Sequence, residues 1–200
     1  MLIPMNVLKA AIPFAGTDAY RPALNSIQVK GRDITSCDGR RLIRVTVPDL
    51  PVAEYPAGHN LEPIQGETLI PLDAAKQAVT GGPKPHKYMP ILQNILLGQN
   101  VKPTLYRTDL DTSQAVPFTA IEGPYPDCDK VIPTTDPVFT VAVNASYAAE
   151  IFKALASLSD TTSHEVTIEF RDPRGPLVIR CEHDGVKTLV LLMPLQPNGA

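Results

Sequence analysis

Three times along the chain, an apolar strand end gives way to an Asn or Asp and then to a run of small, helix-forming residues. This repetition restricts the fold more than any other feature, because a repeated unit must reappear as a repeated piece of structure. The first copy is Ile3-Pro4-Met5-Asn6, followed by Val7-Leu8-Lys9-Ala10-Ala11. The second is Ile70-Pro71-Leu72-Asp73, followed by residues 74–79, and the third is Val141-Ala142-Val143-Asn144, followed by residues 145–158. Asn6, Asp73 and Asn144 lie 67 and 71 residues apart, which suits one unit used three times. Each suits a helix N-cap, where a short side-chain oxygen accepts a bond from an unpaired first-turn N–H. Capping, not catalysis, is the role this position predicts.

The pattern around each cap fills in the unit. In the third copy Tyr147, Ile151, Leu155 and Leu158, with Ala148 and Phe152 beside them, form an apolar stripe opposite Glu150, Lys153 and Ser157. Such a stripe predicts a helix packed on a sheet. Gly81-Gly82-Pro83 cuts the second helix short, and Pro13, which has no N–H to give, interrupts the first. Behind the first helix, residues 26–29, 33–37 and 42–47 read as a meander of strands with an Asp38-Gly39 turn. Behind the third, residues 165–170, 176–181 and 188–193 do the same with an Asp184-Gly185 turn, and behind the second, residues 91–97, 103–107 and 115–121 are the strand candidates. The expected fold is α+β: strand, helix and three antiparallel strands, three times per chain. Residues 48–66 and 133–137 are the Pro- and Gly-rich connections, and the first is long enough to run across the outside of a sheet.

An apolar content of 44% in 200 residues supports a buried core, and 21 prolines with 12 glycines stay below the share that signals low-complexity disorder. The first residues lack a signal pattern and no apolar run reaches membrane-spanning length, so a soluble, cytoplasmic protein is expected. Cys37, Cys128 and Cys181 are odd in number and scattered, which predicts reduced thiols and no zinc site. With a formal net charge of -3, any nucleic-acid contact has to come from a local basic stripe. Phosphate-loop, dinucleotide, zinc-protease and serine-hydrolase motifs are all missing, so the expectation is a binding protein without cofactor or metal. The enzymatic alternative is a thiol nucleophile among the three cysteines with a base among His59, His86, His164 and His183.

Five further segments resemble the bacterial DNA polymerase III beta subunit, the DNA sliding clamp. They are residues 21–27 (Arg-Pro-Ala-Leu-Asn-Ser-Ile), the turn Cys37-Asp38-Gly39-Arg40-Arg41-Leu42, and residues 122–127 (Glu-Gly-Pro-Tyr-Pro-Asp) running on to Val131-Ile132-Pro133. Asn144-Ala145-Ser146-Tyr147 and Leu192-Met193-Pro194-Leu195 complete the set, in the family's order along nearly the whole chain. The turn departs from the family's T-D-G-x-R-L by placing Cys37 where Thr is usual. A bacterial clamp carries six such units per chain, so three imply a clamp shortened to about one and a half domains. Residues 1–132, as units 1–66 and 67–132, are similar to the middle domain, and residues 133–200 to the second half of the last.

The resemblance implies a processivity factor in DNA replication: a homo-oligomer that binds double-stranded DNA without sequence preference and tethers a DNA polymerase and other proteins carrying clamp-binding peptides. A clamp loader is a further implied partner, the setting is bacterial or phage-encoded, and no membrane is involved. Four chains of three units would supply the twelve that close the family's ring. Carried over by position, the peptide-binding groove comprises Cys37, Gly39, Arg40, Arg41, Leu42, Pro133, Leu191, Leu192, Met193, Pro194 and Leu195. The implied DNA contacts are Lys9, Arg21, Lys76 and Lys153. On pattern alone the same segments read as a hairpin turn and an apolar edge strand, and Lys153 as a partner for Glu150. An adaptor or decoy that binds clamp-interacting peptides without forming a ring is the other reading of this fold.

Overall fold

Two prolines frame the amino-terminal part of the molecule. In the computed structural model, which describes residues 1–17, 20–56, 61–84, 88–158, 164–183 and 185–195, Pro4 and Pro71 close β1 (Leu2–Pro4) and β5 (Glu67–Pro71). Having φ of −56° and −55° with extended ψ, they turn the chain straight into α1 (Met5–Ala11) and α2 (Leu72–Val79). His59, His86, Asp184 and the tail 196–200 lie outside the described residues, as does the side chain of His183. Because the prolines occupy the N-cap, each helix starts before the expected cap. Asn6 and Asp73 therefore sit in the first turn and neither helix has a side-chain cap, which corrects their predicted role. Asn144 does cap: its Oδ1 accepts from the N–H of Ser146 (2.9 Å) and of Tyr147 (3.3 Å) at the start of α3 (Ala145–Ala156).

The chain divides into two units, Met1–Val131 and Ile132–Ala200. Within the first, β2 (Ser26–Lys30), β3 (Asp33–Cys37) and β4 (Leu42–Thr46) follow α1, while β6 (Asn94–Gln99), β7 (Pro103–Thr108) and β8 (Ser113–Pro117) follow α2. Each meander is antiparallel, and each is completed by the leading strand of the other module. β5 joins β2 with Ile70 opposite Ile27, and β1 joins β6 with Ile3 opposite Ile95. The two four-stranded sheets run β4-β3-β2-β5 and β1-β6-β7-β8, related as if by a twofold axis. This reciprocal exchange of strands is not visible in the repeat itself, which places each leading strand beside its own helix.

Exchange merges the two modules into one core. α1 packs on α2, β3 and β4, and α2 packs on β5, β7 and β8. Ile3, Leu8, Ala11, Ile27, Ile34, Ile70, Ala75, Ala78, Ile95 and Leu105 are among seventeen residues of a single buried cluster drawn from both. The outer face of each sheet is covered by a connection. Tyr55 from the long first connection packs on Leu2, Leu96 and Tyr106, and Tyr125 packs on Leu24, Cys37 and Leu69. Residues 91–93, expected as strand, belong instead to a 3-10 turn, Pro90–Gln93, the counterpart of the turn Pro22–Asn25 before β2. Residues 118–121, expected as the end of a strand, run on beyond β8 as irregular chain.

The second unit holds one module. β9 (Thr167–Glu169), β10 (Leu177–His183) and β11 (Val186–Leu192) make a three-stranded antiparallel sheet in the order β11-β10-β9. Residues 141–143, expected as its leading strand, carry no strand pairing. Only Leu155 of α3 is fully buried, with Ile179 and Cys181 of β10, and Ile151, Val166 and Val190 flank them. Tyr147, Phe152 and Leu158, expected in the packed stripe, are exposed instead. The helical period selects a stripe wider than one three-stranded sheet covers.

Candidate functional site

The turn between β3 and β4 is built around one carboxylate. Gly39 takes a φ of +88°, which favours a residue without Cβ, and lets Asp38 fold back over the turn. Asp38 Oδ1 accepts the N–H of Arg40 (2.9 Å) and of Arg41 (2.8 Å), while its Oδ2 accepts from Nε (3.0 Å) and Nη2 (2.7 Å) of Arg41. These bonds, backbone N–H of Arg40 first and then the Arg41 guanidinium, hold the carboxyl down at about 2 against an ordinary 3.8. Arg41 Nη2 also donates to the Pro13 carbonyl (3.0 Å), and its guanidinium lies 5.7 Å from the centre of the Phe14 ring. Arg41 is therefore fixed, whereas Arg40 next to it points its side chain into solvent. Leu42 is half-buried behind the turn.

A long-range hydrogen bond ties the turn to the body. Cys37 donates its N–H to the hydroxyl of Tyr125 (3.0 Å), from the segment resembling the clamp's domain junction. Burial, and next the contact with Cys37, push the Tyr125 hydroxyl far above its usual range, and burial likewise raises the neighbouring Cys128 thiol to about 11. Arg21 lies beside the turn: a Cβ placed on Gly39 would stand 3.6 Å from its Nη1. Arg21 thus belongs to the turn rather than to the helix faces. Asp38 and Tyr125 lie inside the resembling motifs, yet neither is among the expected groove residues. A tyrosine ahead of Pro-Asp carries no chemical signal of its own, although the Asp-Gly pair did mark the turn.

On the helices, Lys9 and Lys76 hold equivalent positions, four residues beyond the first helical residue of α1 and α2, and both side chains are exposed. Among the described residues neither forms an ion pair, and Asp73 is the acidic group in the first turn of α2. Counting along α3 puts Ala149, not Lys153, at the same position. Lys153 is exposed one turn further on and forms no ion pair with Glu150. The basic stripe expected from the sequence therefore has two matched members.

In the second unit, β11 is an edge strand whose alternate residues face outward. Leu189, Leu191, Met193 and Leu195 are exposed, while Leu192 is buried and Pro194 half-buried. The Leu195 N–H is held by the Ala142 carbonyl (2.8 Å), so the apolar row continues past the end of the strand in a fixed path. Pro133 is exposed in irregular chain. All three thiols are free and buried.

No family model and no curated protein matches the sequence. Solved structures match in shape. The DNA polymerase sliding clamp from Bacillus subtilis superposes with a TM-score of 0.65 at 16% identity, over 98% of this chain and 49% of that one. This chain has the bacterial sliding-clamp fold. A putative DNA polymerase III beta subunit from Eubacterium rectale gives a TM-score of 0.66 at 10% identity, over 97% of this chain and 50% of that one. The DNA polymerase III subunit beta from Borrelia burgdorferi gives 0.62 at 14% identity, over 99% and 48%. The chain spans about half the length of the solved clamps it matches. As a clamp fold it is α+β with antiparallel sheets, and among the described residues no helix is long and apolar enough to cross a membrane.

Proposed function

We propose that this chain acts as a sliding-clamp-like tether: a processivity factor that holds double-stranded DNA without reading its sequence and recruits a DNA polymerase through short peptides. The observation that supports this most is the pairing of Lys9 and Lys76 on the exposed faces of two contacting helices of a clamp fold. A matched pair of cations is suited to phosphates along a duplex, where contact is sequence-independent and weakens with salt. Few contacts suffice, because in a closed clamp topology supplies the residence time. Lys153, and Arg21 more remotely, are proposed as secondary contacts. The role is binding, in the cytoplasm and as a homo-oligomer, with no reaction catalysed and a clamp loader as a further partner. The decisive assay is retention on nicked circular DNA. A topological tether stays bound and is lost when the circle is linearised, whereas equal behaviour on both forms rejects the proposal. Lys9→Ala with Lys76→Ala is expected to weaken binding to all sequences alike and to make the salt dependence shallower.

Peptide capture is proposed at two surfaces, each testable alone. In the first unit the turn offers Gly39, Arg40, Arg41 and Leu42 above the buried Cys37, with Arg41 held in place to meet a polar group or carboxylate. In the second, Pro133 and the row Leu191, Met193, Leu195, backed by Leu192 and Pro194, offer an apolar strip for an inserted Leu or Phe. Titration with a fluorescent peptide containing Leu and Phe is expected to saturate, and Arg41→Ala and Met193→Asp are each expected to weaken it about tenfold or more. The exposed apolar row also supports the second reading, an adaptor that binds such peptides without encircling DNA. Saturable peptide binding together with no preference for circular DNA favours that adaptor.

A further inference from the structure

We infer that the second unit completes itself with a second copy of this chain, by the same reciprocal strand exchange that joins the two modules of the first unit. In the first unit each module gives its leading strand to the other's meander, and each meander's first strand receives one. The third module has both halves of that joint and has filled neither. Among the described residues, β9 is the outer edge of its sheet, and residues 141–143 pair with no meander.

The equivalence can be fixed residue by residue. Counted back from the first helical residue, Ala142 matches Leu69 and Val143 matches Ile70. The Leu69 carbonyl accepts the N–H of Ile121, from the chain beyond β8 (3.3 Å), and the Ala142 carbonyl accepts the N–H of Leu195, from the chain beyond β11 (2.8 Å). The third leading segment is thus already held on one side as the second is, and once extended into a strand it would turn the N–H and C=O groups of Val141 and Val143 to the other side. On the receiving strands, Val29 opposite Ile34 and Leu97 opposite Leu105 correspond to Ile168 opposite Ile179. Ile27 opposite Ile70 then predicts Val143 of one copy opposite Val166 of the other, with Ala142 opposite Thr167.

Burial agrees with a joint left open. Val29 and Leu97 are 4% and 2% exposed, whereas Ile168 is 38% exposed. Ala11 and Ala78 are 0% and 2% exposed, whereas Ile151 at the same helical position is only half-buried. The donor and acceptor belong to the same module, so two copies related by a twofold axis satisfy each other at once, as a closed isologous pair. An open strand edge beside exposed apolar residues is the kind of surface that strand addition covers. This pairing rests on the fold and needs no DNA: self-association through another surface would overturn it and leave the tether reading standing, and equal binding to circular and linear DNA would overturn the tether and leave the pairing standing.

The test is a cross-link that reads the register. Ala142→Cys and Thr167→Cys variants of the full chain are mixed, oxidised and run without reductant, and molar mass is followed by light scattering across a concentration series. The expected result is a two-chain species, or a multiple of it, at high concentration and a covalent pair between one variant and the other. Each variant alone gives no such pair, since the native thiols are buried. Ile168→Lys is expected to weaken self-association about tenfold or more while the first unit's unfolding is unchanged. A one-chain mass at every concentration overturns the inference. So does self-association without the 142–167 cross-link, which would put the contact elsewhere.

Discussion

The first unit and the second contain the same module in two settings, and the contrast shows what the module cannot do alone. Where two modules exchange leading strands, seventeen residues form one buried cluster. Where one module stands by itself, the buried cluster beneath the helix has three members among the described residues. Half of seventeen would be far more than three, so the difference is not merely one of size. A capped helix on three strands buries one side of the helix and one face of the sheet. The rest of the apolar surface written into its periodicity needs the second module. The largest expected effect tests this directly. Ile27→Ala, in the merged core, is expected to cost the first unit about 2–5 kcal/mol in urea unfolding, through lost burial and a cavity. Val166→Ala, at the matching place in the second unit, is expected to cost less than about 1 kcal/mol, because its side chain is only half-buried. Equal losses would break the comparison.

The outer faces differ in the same sense. In the first unit Tyr125 covers the sheet and takes the Cys37 N–H on its hydroxyl at 3.0 Å. In the second, Phe139 covers Phe170 by ring contact alone, with centroids 5.8 Å apart. Tyr125→Phe removes the acceptor and leaves a buried N–H unpaired, so a loss of about 1–3 kcal/mol is expected. Phe139→Ala should cost less, because Phe139 stays exposed in the folded chain. Denaturation of the two variants side by side checks the ranking.

The sequence carried much of this and stopped at a definable point. Local periodicity and turn chemistry located three helices and nearly every strand, because Pro13, Gly39 and the Gly81-Gly82-Pro83 stretch act on the backbone beside them. It did not show that Ile3 pairs with Ile95 and Ile70 with Ile27, since strand exchange is a long-range choice that leaves the local pattern unchanged. Asn6 and Asp73 misled for a related reason: a proline that ends a strand can itself occupy the N-cap, so the capping side chain is passed over. At the candidate surfaces, the Asp-Gly turn and the Leu-Met-Pro strand were legible as motifs. The placement of Arg21 at the turn and the anchoring by Tyr125 were not, because both depend on chain that returns from elsewhere.

Capping sharpens the comparison at the helix starts. Asn144 bonds two first-turn N–H groups, so Asn144→Ala is expected to cost the second unit about 1 kcal/mol. Asp73→Ala, which removes only a favourable charge near a helix start, is expected to cost the first unit a few tenths, about 0.3–1 kcal/mol. A pH series adds the turn. Asp38 has its folded-state value depressed from 3.8 to about 2, so its contribution is complete above the ordinary carboxylate range and is lost as pH falls through about 2. The stability difference between wild type and Asp38→Asn should therefore shrink across that window, in the first unit's transition only. A difference that is constant with pH would mean that the carboxylate's charge does not hold the turn.

The smallest expected effect is the one that separates an open joint from a poorly packed core. Ile168→Thr removes apolar surface that is 38% exposed in the single chain and substitutes another β-branched residue suited to a strand. Measured on dilute protein, where chains are apart, the second unit's unfolding should move by no more than about 0.5 kcal/mol. Val29→Thr, at the matching place in the first unit, buries a hydroxyl where Val29 is 4% exposed, and is expected to cost about 1–3 kcal/mol at any concentration. If Ile168 were a core residue of a self-sufficient module, the two substitutions would cost alike on dilution. If it lines a joint awaiting a partner, the cost of Ile168→Thr emerges only as concentration rises, and the gap between the two variants closes as the chains pair.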